Sequence, residues 1–319
     1  MGFSSDHAPK ISGDLRISLY RIVKFFALVL MAALIIKYAL IDTVLVTTDQ
    51  MAPTMVGGDR VCIFRIPYYA PFNSMGLSTR GAPVIMEHPL FVKNLGCLRV
   101  AGLSGDSMTI SRGAFTTAGK PGLIFGAPLA VDDALPLAFS PRDSMTPYKM
   151  PGRGDTINLD SLSIRDFFYA SAMVRQENPK ARCNVSAVLS INGALSDDYA
   201  VKDFPLYKGP LNALPKKFEY DWFFWDRLKE YLSRRLSGKD VCLSVGFFMN
   251  GTRVSRYVVK EQFVFLVADD WRKGFDSRYF GPVRARSIRG RVLFVLWSTR
   301  PKGQTGSFLR MDRLIKVVK

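Results

Sequence analysis

Few side chains in this 319-residue protein are suited to chemistry. Its only histidines are His7 and His88. A serine activated by histidine could therefore use only His88, which sits in a proline-flanked loop with no triad signature around it. A histidine-rich metal site is excluded by count, and no metal or cofactor is expected. Cys62, Cys97, Cys183 and Cys242 show no C-x-x-C spacing, which removes thioredoxin-like and zinc-ribbon chemistry. One disulfide is open to them, with Cys183 and Cys242 as the first choice and the pairing undecided. The most distinctive run is Met51-Ala52-Pro53-Thr54-Met55-Val56-Gly57-Gly58-Asp59-Arg60-Val61, shortly after an apolar stretch. The residue before it, Gln50, carries a carboxamide that cannot be deprotonated to attack a carbonyl.

The apolar stretch runs from Phe25 to Ile36 and on past Lys37 to Ile41. It is long enough to predict a transmembrane helix over residues 22–41, with Lys24 and Lys37 reaching the headgroups. A cleaved signal is the rival, but no small-residue cleavage site ends the run. Lys10, Arg16, Arg21 and Lys24 against Asp6 and Asp14 place residues 1–21 in the cytoplasm and 42–319 outside it. That topology argues against nucleic acid as the partner of the +17 net charge. The densest basic block, from Gly281 onward, has Asp312 as its only acid and suits anionic lipid headgroups or a solvated face.

With 48% apolar residues the chain can bury an adequate core. Strand patterning falls at residues 42–46, 60–66, 98–103, 107–111, 242–249, 254–259, 263–268 and 292–298. Pro53 fixes φ in a turn, and residues 68–83 read as a loop. Two helices are expected between residues 119 and 241. One covers about 163–176, with Ile164, Phe167, Phe168 and Ala172 on its apolar face. The other is capped by Asp221, carries the stripe Trp225, Leu228, Leu232 and Leu236, and ends at Gly238. Its opening aromatics, Trp222 to Trp225, suit core packing or a membrane interface. The expected fold is mainly β: a core of about 42–118 and 242–319, an α-containing insertion over about 119–241, and one transmembrane helix in front.

The Met51–Val61 run resembles the Met-x-Pro-Thr box of type I signal peptidases. Arg99-Val100-Ala101-Gly102-Leu103-Ser104-Gly105-Asp106 is similar to the family's Lys-Arg-Val-x-Gly-x-x-Gly-Asp strand and turn. Residues 269–283 resemble its Gly-Asp-Asn-x-x-x-Ser-x-Asp-Ser-Arg-x-x-Gly-x-Val box, and 288–294 the strand that follows. Residues 148–157 and 308–314 are similar to the larger signal peptidases of Bacteroidetes-type bacteria. The resemblance implies a signal peptidase-type β-fold and the family role of removing signal peptides at a bacterial inner membrane, with the main domain periplasmic.

It also implies that the reactive groups are missing. The family uses a serine activated by a neutral lysine, with no histidine. Gln50 stands at the serine, Leu98 at the lysine, and Gly274 at the serine that orients the lysine. Thr48 matches the side-chain oxyanion donor. Met51, Pro53, Asp59, Arg99, Gly105, Asp106, Asp269, Asp276, Ser277 and Arg278 retain the family's structural positions, with Asp–Arg pairing expected among them. The resemblance thus implies an inactive homologue that binds peptide along Thr48 to Met51, or partners an active paralogue, beside the lipid bilayer. One alternative is an active peptidase using displaced residues such as Thr47, Thr48 and Lys93. Another is a structural role at the membrane surface.

Overall fold

The computed structural model describes residues 13–35, 37, 40–65, 79–91, 94–111, 114–117, 145–195, 200–201, 203–210, 221–300 and 308–318. Helix α1 (Gly13–Ile35) opens the chain. Strands β1 (Ile41–Leu45), β2 (Asp59–Phe64), β3 (Pro83–Glu87), β4 (Leu95–Leu103), β5 (Ser107–Ser111) and β6 (Ala114–Thr117) follow. Next come β7 (Met145–Lys149), β8 (Thr156–Asn158), α2 (Ile164–Glu177), β9 (Cys183–Ile191), β10 (Ala194–Leu195), β11 (Ala200–Val201), β12 (Gly209–Pro210) and α3 (Trp222–Arg235). The chain closes with β13 (Val241–Met249), β14 (Thr252–Arg253), β15 (Arg256–Val258), β16 (Phe263–Val267), α4 (Ser277–Phe280), β17 (Val283–Arg284), β18 (Ile288–Ser298) and β19 (Lys316–Val317).

The protein is mainly β, as its patterning implied. Its principal sheet has the order β1-β2-β18-β3-β4-β16-β17, with β19 added beside β18, and its pairings are antiparallel. Both faces of this sheet are covered. On β3 and β4, Val84, Met86, Leu98 and Val100 pack with Leu266, Ala268 and Phe280 on one side. Ile85 and Cys97 pack with Met51, Met55, Ile63 and Val295 on the other. Side chains alternate across a strand, so a sheet buried on both faces reads as a continuous apolar run.

A second sheet, β10-β9-β13-β14, pairs Cys183–Ile191 with Val241–Met249 and packs with α2 and α3 over the largest apolar cluster. Both helices have side-chain caps: Ser163 Oγ accepts from Asp166 N–H and Asp221 Oδ1 from Phe223 N–H. Phe224 and Trp225 are buried, and the Trp222 indole N–H donates to Arg278 O at 3.0 Å. Core packing accounts for these opening aromatics of α3.

Several expectations are corrected. Cys183 lies opposite Met249 and Cys242 opposite Ser190 in the same strand pair, so the two cannot bond, and all four cysteines are free. The strand expected at 254–259 is shorter, β15 over Arg256–Val258, and the two-residue β14 precedes it. The basic block after Gly281 is partly structural: Arg313 is buried on Asp59, Arg286 pairs with Glu261, and Arg289 with Glu87. The predicted span at 22–41 overlaps α1, but the helix begins earlier and ends at Ile35. Among the described residues no helix is long and apolar enough to cross a membrane. Lys93 and the loop at 68–78 lie outside the described residues.

Candidate functional site

Gln50 sits in the turn between β1 and β2. Ala52 N–H donates to Asp49 O and Met55 N–H to Met51 O, so residues 49–55 coil tightly rather than extend. Met51 and Met55 are fully buried and anchor the turn in the core. Gly58 closes it with φ +95°, and a Cβ there would lie 1.9 Å from Thr299 O, so only glycine fits. Thr48 is exposed on the approach to the turn.

The turn brings Gln50 onto β4. Its carboxamide Nε2 donates to Cys97 O at 3.0 Å, and Gln50 O accepts from Asp270 N–H at 2.9 Å. The residues at positions 50, 97–98 and 270 thus meet from three segments far apart in sequence. Leu98, next to Cys97, is fully buried among Val84, Val100, Leu266, Ala268 and Phe280. No proton acceptor exists at its tip. Burial pushes the Cys97 thiol well above its ordinary pKa, so it supplies no thiolate in its place.

Gly274 completes the cluster. A Cβ built there would lie 2.3 Å from the Ala268 Cβ, 3.1 Å from Asp270 O and 3.2 Å from Asp276 Oδ2. The Ala268 methyl therefore takes the room a serine at 274 would need. Sequence reasoning missed Ala268. The signal was present in the box itself, because the glycine that opens the family's Gly-Asp-Asn run falls at Ala268.

A set of Asp–Arg pairs surrounds these positions. Arg99 binds Asp269 through Nε–Oδ1 at 2.8 Å and Nη2–Oδ2 at 2.7 Å, joining β4 to the segment after β16. Arg99 also donates to Gly81 O at 2.6 Å. Asp276 caps α4 by accepting from Arg278 N–H, and its Oδ2 accepts from Ala268 N–H at 2.9 Å. The Arg278 guanidinium is 1% exposed, contacts both Asp276 oxygens, and lies 4.5 Å above the Trp271 ring. Ser277 Oγ accepts from Leu266 N–H at 3.0 Å.

Two further pairs escaped the sequence. Asp59 is fully buried and accepts from Arg313 Nε at 2.9 Å and Nη2 at 2.5 Å, while Arg313 also donates to Thr54 O. Burial opposes ionisation of Asp59, yet hydrogen bonds from Arg313, Ser298 and the Val56 N–H outweigh it and hold the carboxyl below its ordinary pKa. Asp106 accepts from Leu103 N–H at 2.8 Å beside Gly105 and pairs with Arg80. In both cases the missed partner lies outside the motif it supports.

His88 stands apart. Its ring is stacked 5.7 Å from Phe275 and lies 4.6 Å from Phe91 and 5.0 Å from Phe280. Its Nδ1 accepts from the Leu90 and Phe91 N–H groups, and burial lowers its pKa to about 4. The ring serves as a neutral packing element here, and its contacts among the described residues are aromatic rings and backbone N–H groups. No group of three or more metal-binding side chains occurs among the described residues.

The site is an antiparallel sheet carrying a Met-Ala-Pro-Thr turn against an Arg-Val-Ala-Gly strand. The family described as signal peptidase, peptidase S26, matches residues 19–128 and 226–297, more than half of the chain, and this protein belongs to it. The match leaves out residues 129–225, which include α2 and β9. No curated protein matches the chain.

Proposed function

We infer that this protein is a signal peptidase-family member without peptidase activity, anchored in a membrane and acting as a peptide-binding or accessory subunit. One observation carries the reading: the carboxamide of Gln50 is bonded to the Cys97 carbonyl, one residue from the buried aliphatic side chain of Leu98, and these two positions are the ones that match the family's nucleophile and base. Neither can move a proton in the required sense. Gly274 offers no hydroxyl in compensation.

Two surfaces support the membrane assignment. The described side chains of α1 from residue 19 to 34 are all exposed, and most are large and apolar, including Phe25, Phe26, Leu28 and Leu30. A helix apolar all round needs a non-aqueous neighbour, and a bilayer fits with residues 1–21 in the cytoplasm. At the other end of the chain Trp297, Phe308, Met311, Ile315 and Val317 are exposed beside Arg291 and Lys316. Apolar tips among cations suit an anionic lipid surface. Protease added to spheroplasts should digest the chain beyond Asp42 and spare the tail before Arg21; protection of the C-terminal part would reverse this topology.

The activity reading is tested by incubating the detergent-solubilised protein with a preprotein, beside an intact family member. No cleavage is expected. Cleavage at the normal site, abolished by Thr48→Ala, would overturn the reading in favour of a peptidase with displaced catalytic residues.

A further inference from the structure

Among the described residues strand β4 is incompletely paired, and Gln50 lies at the gap. His88 N–H donates to Asn94 O and Val100 N–H to Ala82 O, both at 2.9 Å. The alternation of an antiparallel ladder then turns the backbone groups of Gly96 and Leu98 toward β3, and those of Leu95, Cys97 and Arg99 away from it. On that second edge β16 pairs Val267 with Arg99 and goes no further. Among the described residues no strand continues the pairing along Leu95 to Cys97. The Cys97 carbonyl there accepts the Gln50 side-chain N–H instead.

The expected peptide edge at Thr48 to Met51 is largely a turn, which cannot present a regular ladder. The short edge of β4, unpaired among the described residues, can. Apolar side chains lie near it, with Leu95 47% exposed, Phe91 51% and Phe275 37%, and the charged Asp42, Arg65, Glu87 and Arg289 share a cleft with Leu95 and the His88 ring, which stays neutral above a pH of about 4.

We propose that Gln50 is a displaceable latch on the free edge of β4, its carboxamide standing in for the first backbone N–H of an extended apolar peptide. This rests on the peptide-binding reading above. A peptide joining the edge must offer its own N–H to Cys97 O and release the carboxamide to water. Gln50 therefore does more than lack a nucleophile: it makes binding selective for segments able to displace it. The residue is suited to this because its amide donates like a peptide N–H, while its flexible side chain can rotate away.

The test uses the full-length protein in detergent and a synthetic cleavage segment of the Ala-x-Ala type. Gln50→Met keeps the volume and removes the donor, and Gln50→Ala removes both. Each should bind the peptide about three- to tenfold more tightly than the wild type, the range expected when a competing hydrogen bond is lost. Amide exchange should slow at Leu95 and Cys97 in the complex. Equal or weaker binding by both folded variants overturns the latch while leaving peptide binding intact, as does protection that falls on another strand. If neither the wild type nor the variants bind, the peptide-binding reading falls and takes the latch with it.

Discussion

Leu98 and Arg99 are adjacent on one strand and point into two regions held together by different physics. Arg99 points into a network of buried ion pairs that includes Asp269, with Asp276–Arg278 and Asp59–Arg313 close by. Leu98 points into a purely aliphatic and aromatic cluster, where the family's mechanism needs a base. Pairing constrains the first region. Removing one partner of a buried pair leaves an uncompensated charge, so the pairs must be kept or replaced together. No such coupling holds the second region. Once the lysine is absent, an apolar side chain fills its pocket at no electrostatic cost, and a methyl can move from position 274 to position 268. On the proposed reading, the pairs keep the fold while the positions at 98 and 274 are free to change.

The two regions should respond differently to substitution. The largest effect is expected from Leu98→Lys, which puts an ammonium into the apolar cluster. Burial lowers the folded-state pKa of such a lysine, and neutralising it at pH 7 costs about 4–5 kcal/mol from an ordinary value of about 10.4. Between the two pKa values the unfolded chain binds more protons, so the stability of this variant should rise with pH up to about 10. Denaturant titrations at several pH values check the slope; a flat profile would mean that the side chain escapes to water.

Asp276→Ala strands the Arg278 guanidinium and should lower stability by about 3–5 kcal/mol in the same titrations. An effect below about 1 kcal/mol would remove the contrast between the two regions. Gly274→Ser should cost about 1–3 kcal/mol through overlap with Ala268. Adding Ala268→Gly should recover most of that loss, and additive losses would place the clash elsewhere. The smallest effect concerns His88. Its folded pKa of about 4 lies below an ordinary value near 6.5. The stability it contributes is complete above that ordinary value and is lost as the pH falls toward 4. Replacement by phenylalanine should remove this acid sensitivity, about 1 kcal/mol after allowance for solvent screening.

Local patterns showed much of the fold and little of what locks it. The cap at Asp221 and the apolar stripe of α3 act over one or two turns, so they could be read directly. Strand β9 was missed although Val185, Ala187, Leu189 and Ile191 alternate, because polar Asn184, Ser186 and Ser190 between them resemble a loop. Strand β3 begins with a proline after a Gly/Pro-rich loop, and its burial on both faces erased the period of two. Motif order identified the positions of Gln50, Leu98, Gly274 and the Asp–Arg sets. It gave neither the Arg313 partner of Asp59 nor the bond from Gln50 to Cys97 O, since long-range pairing leaves no local trace.

The central claim, a retained scaffold from which only chemistry has been removed, is tested most directly by restoring the parts. A variant carrying Gln50→Ser, Leu98→Lys, Gly274→Ser and Ala268→Gly together should cleave a preprotein at the normal site. Omitting Ala268→Gly should weaken or abolish that cleavage, because the restored serine has no room, and Gln50→Ser alone should do nothing without a base. Detectable cleavage by the fourfold variant is the predicted result. A folded but inert fourfold variant, assayed beside an intact family member that works, would contradict the account and show that the cleft has diverged as well.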